Sequence, residues 1–189
     1  MKKNLLILLG GLMLLASCGK QENPFFSQLN TPFNVPEFSK IEKSHYMPAF
    51  EKGMEQHKNE IKAIIANEAN PTFENTIIAL EESGELLDRV SNVFFVLNSS
   101  MSDEKMQEIE KEITPRLSNH SDDIYLNGDL FQRVKAVHEK KESFDLTPEQ
   151  SKLLEEYYKS FVRSGANLNE QDKKKMREIN EELSNLTMT

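Results

Sequence analysis

The apolar positions of this chain fall into helical stripes, and one stretch holds more of them than any other. From Pro71 to Phe95 the sequence reads PTFENTIIALEESGELLDRVSNVFF. Phe73, Ile77 and Leu80 recur at steps of three and four, the period of one helix face. Beyond Gly84, the residues Leu86, Leu87, Val90, Val93, Phe94 and Leu97 widen that stripe to most of the circumference. Such a helix passes from half-buried at its start to central at its end. Asn70 or Thr72 is placed to cap its first turn, and Pro71 suits the start because its missing N–H would have had no intrahelical partner. Unbroken from Thr72 to Leu97, it would be about 39 Å long at 1.5 Å per residue. Gly84 lies on the stripe itself and marks either a break or a close approach of another helix.

The flanking segments carry the same period. Between Ser44 and Ala66 a turn precedes Pro48, and Met47, Phe50, Met54, His57, Ile61 and Ile64 then form one face. Ser102 reads as the cap of another helix, with Asp103 and Glu104 in the first turn where negative charge suits the helix dipole. Met106, Ile109, Ile113, Leu117, His120 and Ile124 make its stripe, and Pro115 predicts a kink. Asn127-Gly128-Asp129 reads as a turn before a shorter helix with Leu130, Phe131, Val134 and Val137, ending near Lys141. Thr147-Pro148-Glu149-Gln150 is a capping box with proline at the first helical position, and Leu153, Leu154, Tyr157, Tyr158 and Phe161 form the face that follows. Ser164-Gly165 breaks the chain. A last helix starts near Asn169, with Met176, Ile179, Leu183 and Leu186 as its stripe. It reaches Thr189 in full amphipathic stride without glycine, proline or a C-cap, the pattern expected of a segment cut from something longer. No run alternates apolar and polar residues as a half-buried strand does. The expected class is all-α.

Composition alters that picture mainly at the N-terminus. With 189 residues, 29% charged and a net charge of −8, the chain suits one globular domain, and no basic stripe is present that could neutralise nucleic-acid phosphates. A single cysteine excludes an internal disulfide and every multi-cysteine zinc site. It closes the stretch MKKNLLILLGGLMLLASC, in which Lys2 and Lys3 precede an apolar run from Leu5 to Leu15. That run is short for a membrane span, which needs roughly 17 to 25 residues, and reads as an export signal. Leu15-Ala16-Ser17-Cys18 is similar to the lipobox of bacterial lipoproteins, where cleavage leaves a lipidated Cys18 at the N-terminus; the alternative is an ordinary free cysteine. The expected organisation is a signal peptide over 1–17, a lipidated N-terminus and tether over 18–30, and a helical region over 31–189. Losing Lys2 and Lys3 takes the net charge from −8 to −10. The product would be exported and membrane-anchored through Cys18, on the periplasmic or cell-surface side. Thr31 to Phe38, TPFNVPEF, carries two prolines and is expected to be extended and packed.

Candidate chemistry is sparse. His57 and His120 each lie on an apolar stripe, which suggests a ligand or an acid–base role, but local spacing sets no second histidine or carboxylate beside either. The structural role is the expected one for both. His138-Glu139-Lys140-Lys141-Glu142 starts like a zincin helix, yet its fifth residue is Glu142 where the second histidine is needed, and two lysines adjoin it. Tyr157 and Tyr158 are expected to pack with their hydroxyls at the edge, a substrate contact being the minor alternative. No G-x-S-x-G, P-loop or G-x-G-x-x-G occurs. No residue is therefore assigned as catalytic or as a metal ligand, and no cofactor is expected on this segment.

Several long blocks together resemble the N-terminal part of the thimet oligopeptidase family of zinc metallopeptidases, closest to its bacterial peptidyl-dipeptidase branch. They are NPFF from Asn23, FSKIEKSHYMPAFEKGMEQHKNEI from Phe38, NPTFENTIIALEESGELLDRVSNVFF from Asn70, EIEKEITPRLSNHSDDIY and FVRSGANLNEQDKKKMREINEELS. The resemblance runs from about Asn23 to Thr187. It implies a two-lobed helical fold with a deep channel, in which this segment belongs to the wall of the N-terminal lobe and stops before the catalytic region. It also implies oligopeptide substrates losing C-terminal dipeptides, and zinc bound by H-E-x-x-H plus a further glutamate in the full-length enzyme only. Two functional readings follow: the non-catalytic N-terminal segment of such a peptidase, or a stand-alone helical lipoprotein that binds peptides or a partner. On the first, an apolar patch is expected along Met176, Ile179, Leu183 and Leu186 and on part of the central helix.

Overall fold

The computed structural model describes residues 23–27 and 30–186, and every regular element among them is helical. The longer helices are α1 (Tyr46–Ile65), α3 (Glu85–Met101), α4 (Glu104–Tyr125), α5 (Gly128–Glu139), α6 (Pro148–Ser164) and α7 (Glu170–Leu186). A π-helical stretch over Phe73–Ile78 leads into the single turn α2 (Ala79–Glu81). The class is all-α.

Caps set most boundaries. Thr72, and not Asn70, caps the π-helical stretch: its hydroxyl accepts from the Asn75 N–H at 3.1 Å while the Asn75 side chain accepts from the Thr72 N–H at 2.8 Å. Asp103, and not Ser102, caps α4 by accepting from the Met106 N–H at 3.0 Å, and the Ser102 hydroxyl turns back to Asn98. A carboxylate there serves both the orphan N–H and the helix dipole, which a hydroxyl does not. Asn127 caps α5, so Gly128 and Asp129 already belong to the helix. The Thr147–Gln150 box forms in both directions, at 3.0 and 3.3 Å. Gly165, at φ +100°, ends α6 with bonds from its own N–H to Val162 and from the Ala166 N–H to Phe161, the Schellman pair. Helix α4 continues through Pro115 as one helix.

The expected single central helix is divided at Gly84, which sits at φ +81°. Both readings of this glycine hold, because a Cβ there would also lie 2.9 Å from Nδ1 of His57. The division separates two cores. Phe73, Ile77 and Leu80, before the break, pack with Ile61, Ile64, Ile124, Phe131, Val134, Leu154 and Phe161. Leu86, Leu87, Val90, Val93 and Phe94, after it, pack with Phe25, Tyr46, Phe50, Met106, Ile109 and Ile113. Helices α1 and α4 contribute to both cores, the first core through their C-terminal halves and the second through their N-terminal halves. The two lie against each other, and α1 also packs along α3, where Gly53 lets the Leu87 backbone approach.

Four features lie outside the expectations. Arg133 is buried on α5, where it donates to the Asn67 carbonyl at 2.7 Å and the Asn75 side-chain oxygen at 3.2 Å, closing the loop after α1. Thr31–Phe38 is not packed: it forms two short 3-10 turns separated by an extended stretch, and Phe33 is 98% exposed. Within the expected tether, Phe25 is instead buried against Tyr46, and Asn23 donates to the His45 carbonyl at 2.8 Å. Helix α7 starts at its Asn169 cap as anticipated, but lies polar side inward on α4. Asn180 donates to Asp122 at 2.7 Å and Arg177 to Asp123 at 3.0 Å, while Ile179 and Leu183 are each 57% exposed. Leu186 on α7 and Val96 and Met101 on α3 are exposed as well, whereas Met176 is half-buried.

The α1–α3 contact yields a prediction. Gly53→Ala puts a methyl 2.9 Å from the Leu87 Cα and is expected to destabilise by about 1–3 kcal/mol, since backbone cannot give way as a side chain does. Gly128→Ala, whose new Cβ meets only the Lys173 ammonium at 3.6 Å, is expected to be neutral or slightly stabilising. Urea unfolding of the two variants checks the contrast.

Candidate functional site

Where the two cores meet, the apolar stripes of α1 and α4 each carry one histidine. The fold brings them together. His57 Nδ1 and His120 Nε2 lie 3.0 Å apart, and His57 Nε2 lies 3.2 Å from the Ser83 hydroxyl. That hydroxyl has one hydrogen, which it donates to the Leu80 carbonyl at 2.7 Å. His57 must therefore donate to Ser83 through Nε2–H, which leaves its Nδ1 as an acceptor, so His120 donates through Nε2–H. The chain has one direction, from His120 to His57 to Ser83 to Leu80. It leaves the Nδ1 lone pair of His120 buried without a partner.

Burial favours the neutral form of both rings. It pulls His57 below its usual 6.5, against the opposing pull of Glu60 and Asp88. His120 falls to about 4, through burial first and then the proximity of His57 and Lys58. The pair stands between two concavities. His57 lines a cavity of about 210 Å³ with Glu81, Ser83, Asp88, Tyr125 and Tyr157. His120 lines an open groove of about 580 Å³ between α1 and α4, with Lys58, Lys62, Asn119 and Asp123. In the cavity the Tyr157 hydroxyl donates to Glu81 at 2.8 Å, and burial raises the Asp88 carboxyl.

A serine beside a histidine beside a third group has the outline of a nucleophile, its base and an orienting residue. Here the serine proton is committed to a main-chain carbonyl and the serine is buried, so the arrangement holds helices together and activates nothing. Zinc does not fit either. The facing nitrogens of the pair are bonded to each other, and among the described residues no three His, Cys, Asp or Glu converge as a metal site. His138 pairs with Glu155 at 2.9 Å, not with Glu142, and stacks flat on Tyr158 with ring centroids 3.9 Å apart. Tyr158 is thereby a packing residue, whereas Tyr157 reaches the cavity. Cys18 lies outside the described residues.

The histidine pair spans 63 residues and has no signature in local spacing. One signal was present: a polar ring in the middle of an apolar stripe needs a partner, and two such rings on neighbouring helices can satisfy each other.

No family model matches the chain. Individual proteins do. Over 165 residues, 87% of its length, the chain is 43% identical to the dipeptidyl carboxypeptidase of Escherichia coli (strain K12). It is 39% identical over 164 residues to the dipeptidyl carboxypeptidase of Salmonella typhimurium, and 27% identical over 158 residues to the oligopeptidase A of Escherichia coli. The similarity is to peptidases. The matched regions cover 24%, 24% and 23% of those proteins, so the chain spans about a quarter of the length of the curated relatives it matches.

The hydrogen-bond chain predicts a specific cost. Ser83→Ala leaves the half-buried His57 Nε2–H without its acceptor and is expected to destabilise by about 1–2 kcal/mol. Tyr157→Phe removes a solvent-exposed bond and is expected to cost well under about 1 kcal/mol. Denaturant midpoints of both variants, at pH 7.5, check the order.

Proposed function

We propose that this chain is the N-terminal, non-catalytic segment of a zinc metallopeptidase of the peptidyl-dipeptidase type, and that it walls the substrate channel of that enzyme. The observation that carries this reading is the 43% identity over nearly the whole chain to a dipeptidyl carboxypeptidase about four times as long. In this reading zinc is held by residues outside this chain, the substrates are oligopeptides that lose C-terminal dipeptides, and Cys18 carries a lipid that tethers the protein to a bacterial membrane after export.

The surface of α7 supports it. Its polar side is engaged with α4, and its apolar side, with Ile179 and Leu183 exposed, is available for further helical structure of the same protein. A helix apolar on its solvent side is unfavourable unless something covers it.

Two measurements test the proposal. The coding DNA downstream of Thr189 is expected to contain, in frame or after a frameshift, an H-E-x-x-H helix; its absence overturns the reading. The purified chain alone is expected to release no dipeptides, and zinc-dependent release that chelator abolishes would show that catalysis lies in this segment. For the tether, Cys18→Ser is expected to abolish incorporation of labelled palmitate and to shift the protein from the membrane to the soluble fraction of an expressing bacterium.

A further inference from the structure

We propose that the His120–His57–Ser83 chain is a proton-operated latch, in which proton uptake by the imidazole pair parts α1 from α4 and joins the cavity to the groove.

The pair is the wall between the two concavities, since His57 faces one, His120 faces the other, and a 3.0 Å bond connects them. Through Ser83 and the Leu80 carbonyl the same chain ties both helices to the break at Gly84, whose N–H is held in turn by Glu60 at 2.7 Å. Each nitrogen of the two rings is already committed except His120 Nδ1, and that atom is buried with no partner. A first proton can go only there, creating an imidazolium on a buried nitrogen at the helix seam beside Lys58. A second must take the His57 Nδ1 lone pair, which is the acceptor that holds the rings together. Neither proton fits the closed seam, whereas both fit an open one in water.

The surrounding charges do not rescue the closed, protonated form. Glu60 is committed to the Gly84 N–H, Glu81 to Tyr157, and Asp122 Oδ1 to Asn180. Asp123 draws a proton toward His120, but its carboxylate is already bound to Lys58 and Arg177. Asp88, on α3, draws a proton toward His57. Its own carboxyl and that of Asp122 are raised by burial, so their protonation favours the closed form and opposes opening. Tyr125 and Tyr157 are pushed up by burial and stay neutral throughout.

The sign follows from linkage. His120 titrates near 4 when closed and near 6.5 when freed, so the closed form is fully favoured above pH 6.5 and loses ground as pH falls toward 4. Between pH 7 and pH 4.5 the open population is expected to rise on the order of fifty-fold. The experiment is amide hydrogen exchange on the full chain, corrected for intrinsic rates, at those two pH values. Protection is expected to drop by that factor over residues 54–58 and 117–121, and by less than about fivefold over 130–137. His120→Gln keeps an N–H donor for His57 but has no titrating ring, and is expected to remove most of the drop. Equal loss across the seam and the α5 core, or an undiminished loss in His120→Gln, overturns the latch. The ring titration of the unmodified protein by NMR adds a check independent of any variant: a His120 midpoint near 6.5 overturns the proposal.

Discussion

A left-handed residue turns the chain at Gly84, and no side chain fits there because His57 occupies the space that a Cβ would need. This one close approach divides what the apolar pattern would make a single rod. The halves on either side then point their large residues into different cores, Phe73 and Ile77 into one and Val90 and Phe94 into the other. Two cores bridged by α1 and α4 meet along a seam, and a seam between apolar clusters is where polar groups must satisfy one another. Ser83, His57 and His120 do so there, beside the break at Gly84. The break, the two cores and the histidine chain are consequences of one steric fact.

Arg133 sits among carbonyl and side-chain oxygens at the end of α1, where positive charge also suits the helix dipole; its two terminal nitrogens are paired and its Nε is not. The histidine chain is likewise one bond short, at His120 Nδ1. Unsatisfied buried acceptors are uncommon because each costs free energy that nothing at the atom itself returns. An open lone pair on a titratable ring at a helix–helix seam therefore differs in kind from the surface ion pairs, such as Lys105–Glu108, which contribute little and are screened by salt.

Much of the fold could be read from residue order alone, because it is written in local terms. Periods of three and four placed every long helix, and the Thr147–Gln150 box and Gly165 marked boundaries within a residue. The errors have physical causes. Ser102 and Asp103 are both competent caps, and the Ser102 hydroxyl is engaged by Asn98 while the carboxylate takes the Met106 N–H. TPFNVPEF carries apolar residues that look packed, yet with Phe33 and Asn34 at positive φ the turn directs Phe33 into solvent. Phe25 lies in a stretch with no helical period, and its partner Tyr46 is brought to it only by the fold. The site was less legible for the same reason, since the pairing of His57 with His120 exists only once α1 and α4 lie side by side.

Helix α7 shows how the two kinds of information combine. Its stripe of Met176, Ile179 and Leu183 is as regular as that of α4, and by period alone it would face the core. Instead Lys173 is buried and Asn180 and Arg177 bind the acidic end of α4, because Asp122 and Asp123 present carboxylates that an apolar face could not satisfy. Turning the helix over would bury two apolar residues at the expense of stranding the buried Asp122 carboxyl, and a stranded buried carboxyl outweighs a half-buried leucine. The amphipathic pattern is thus satisfied on its polar side here. Its apolar side, about three turns long, is left facing solvent with Ile179, Leu183 and Leu186 exposed.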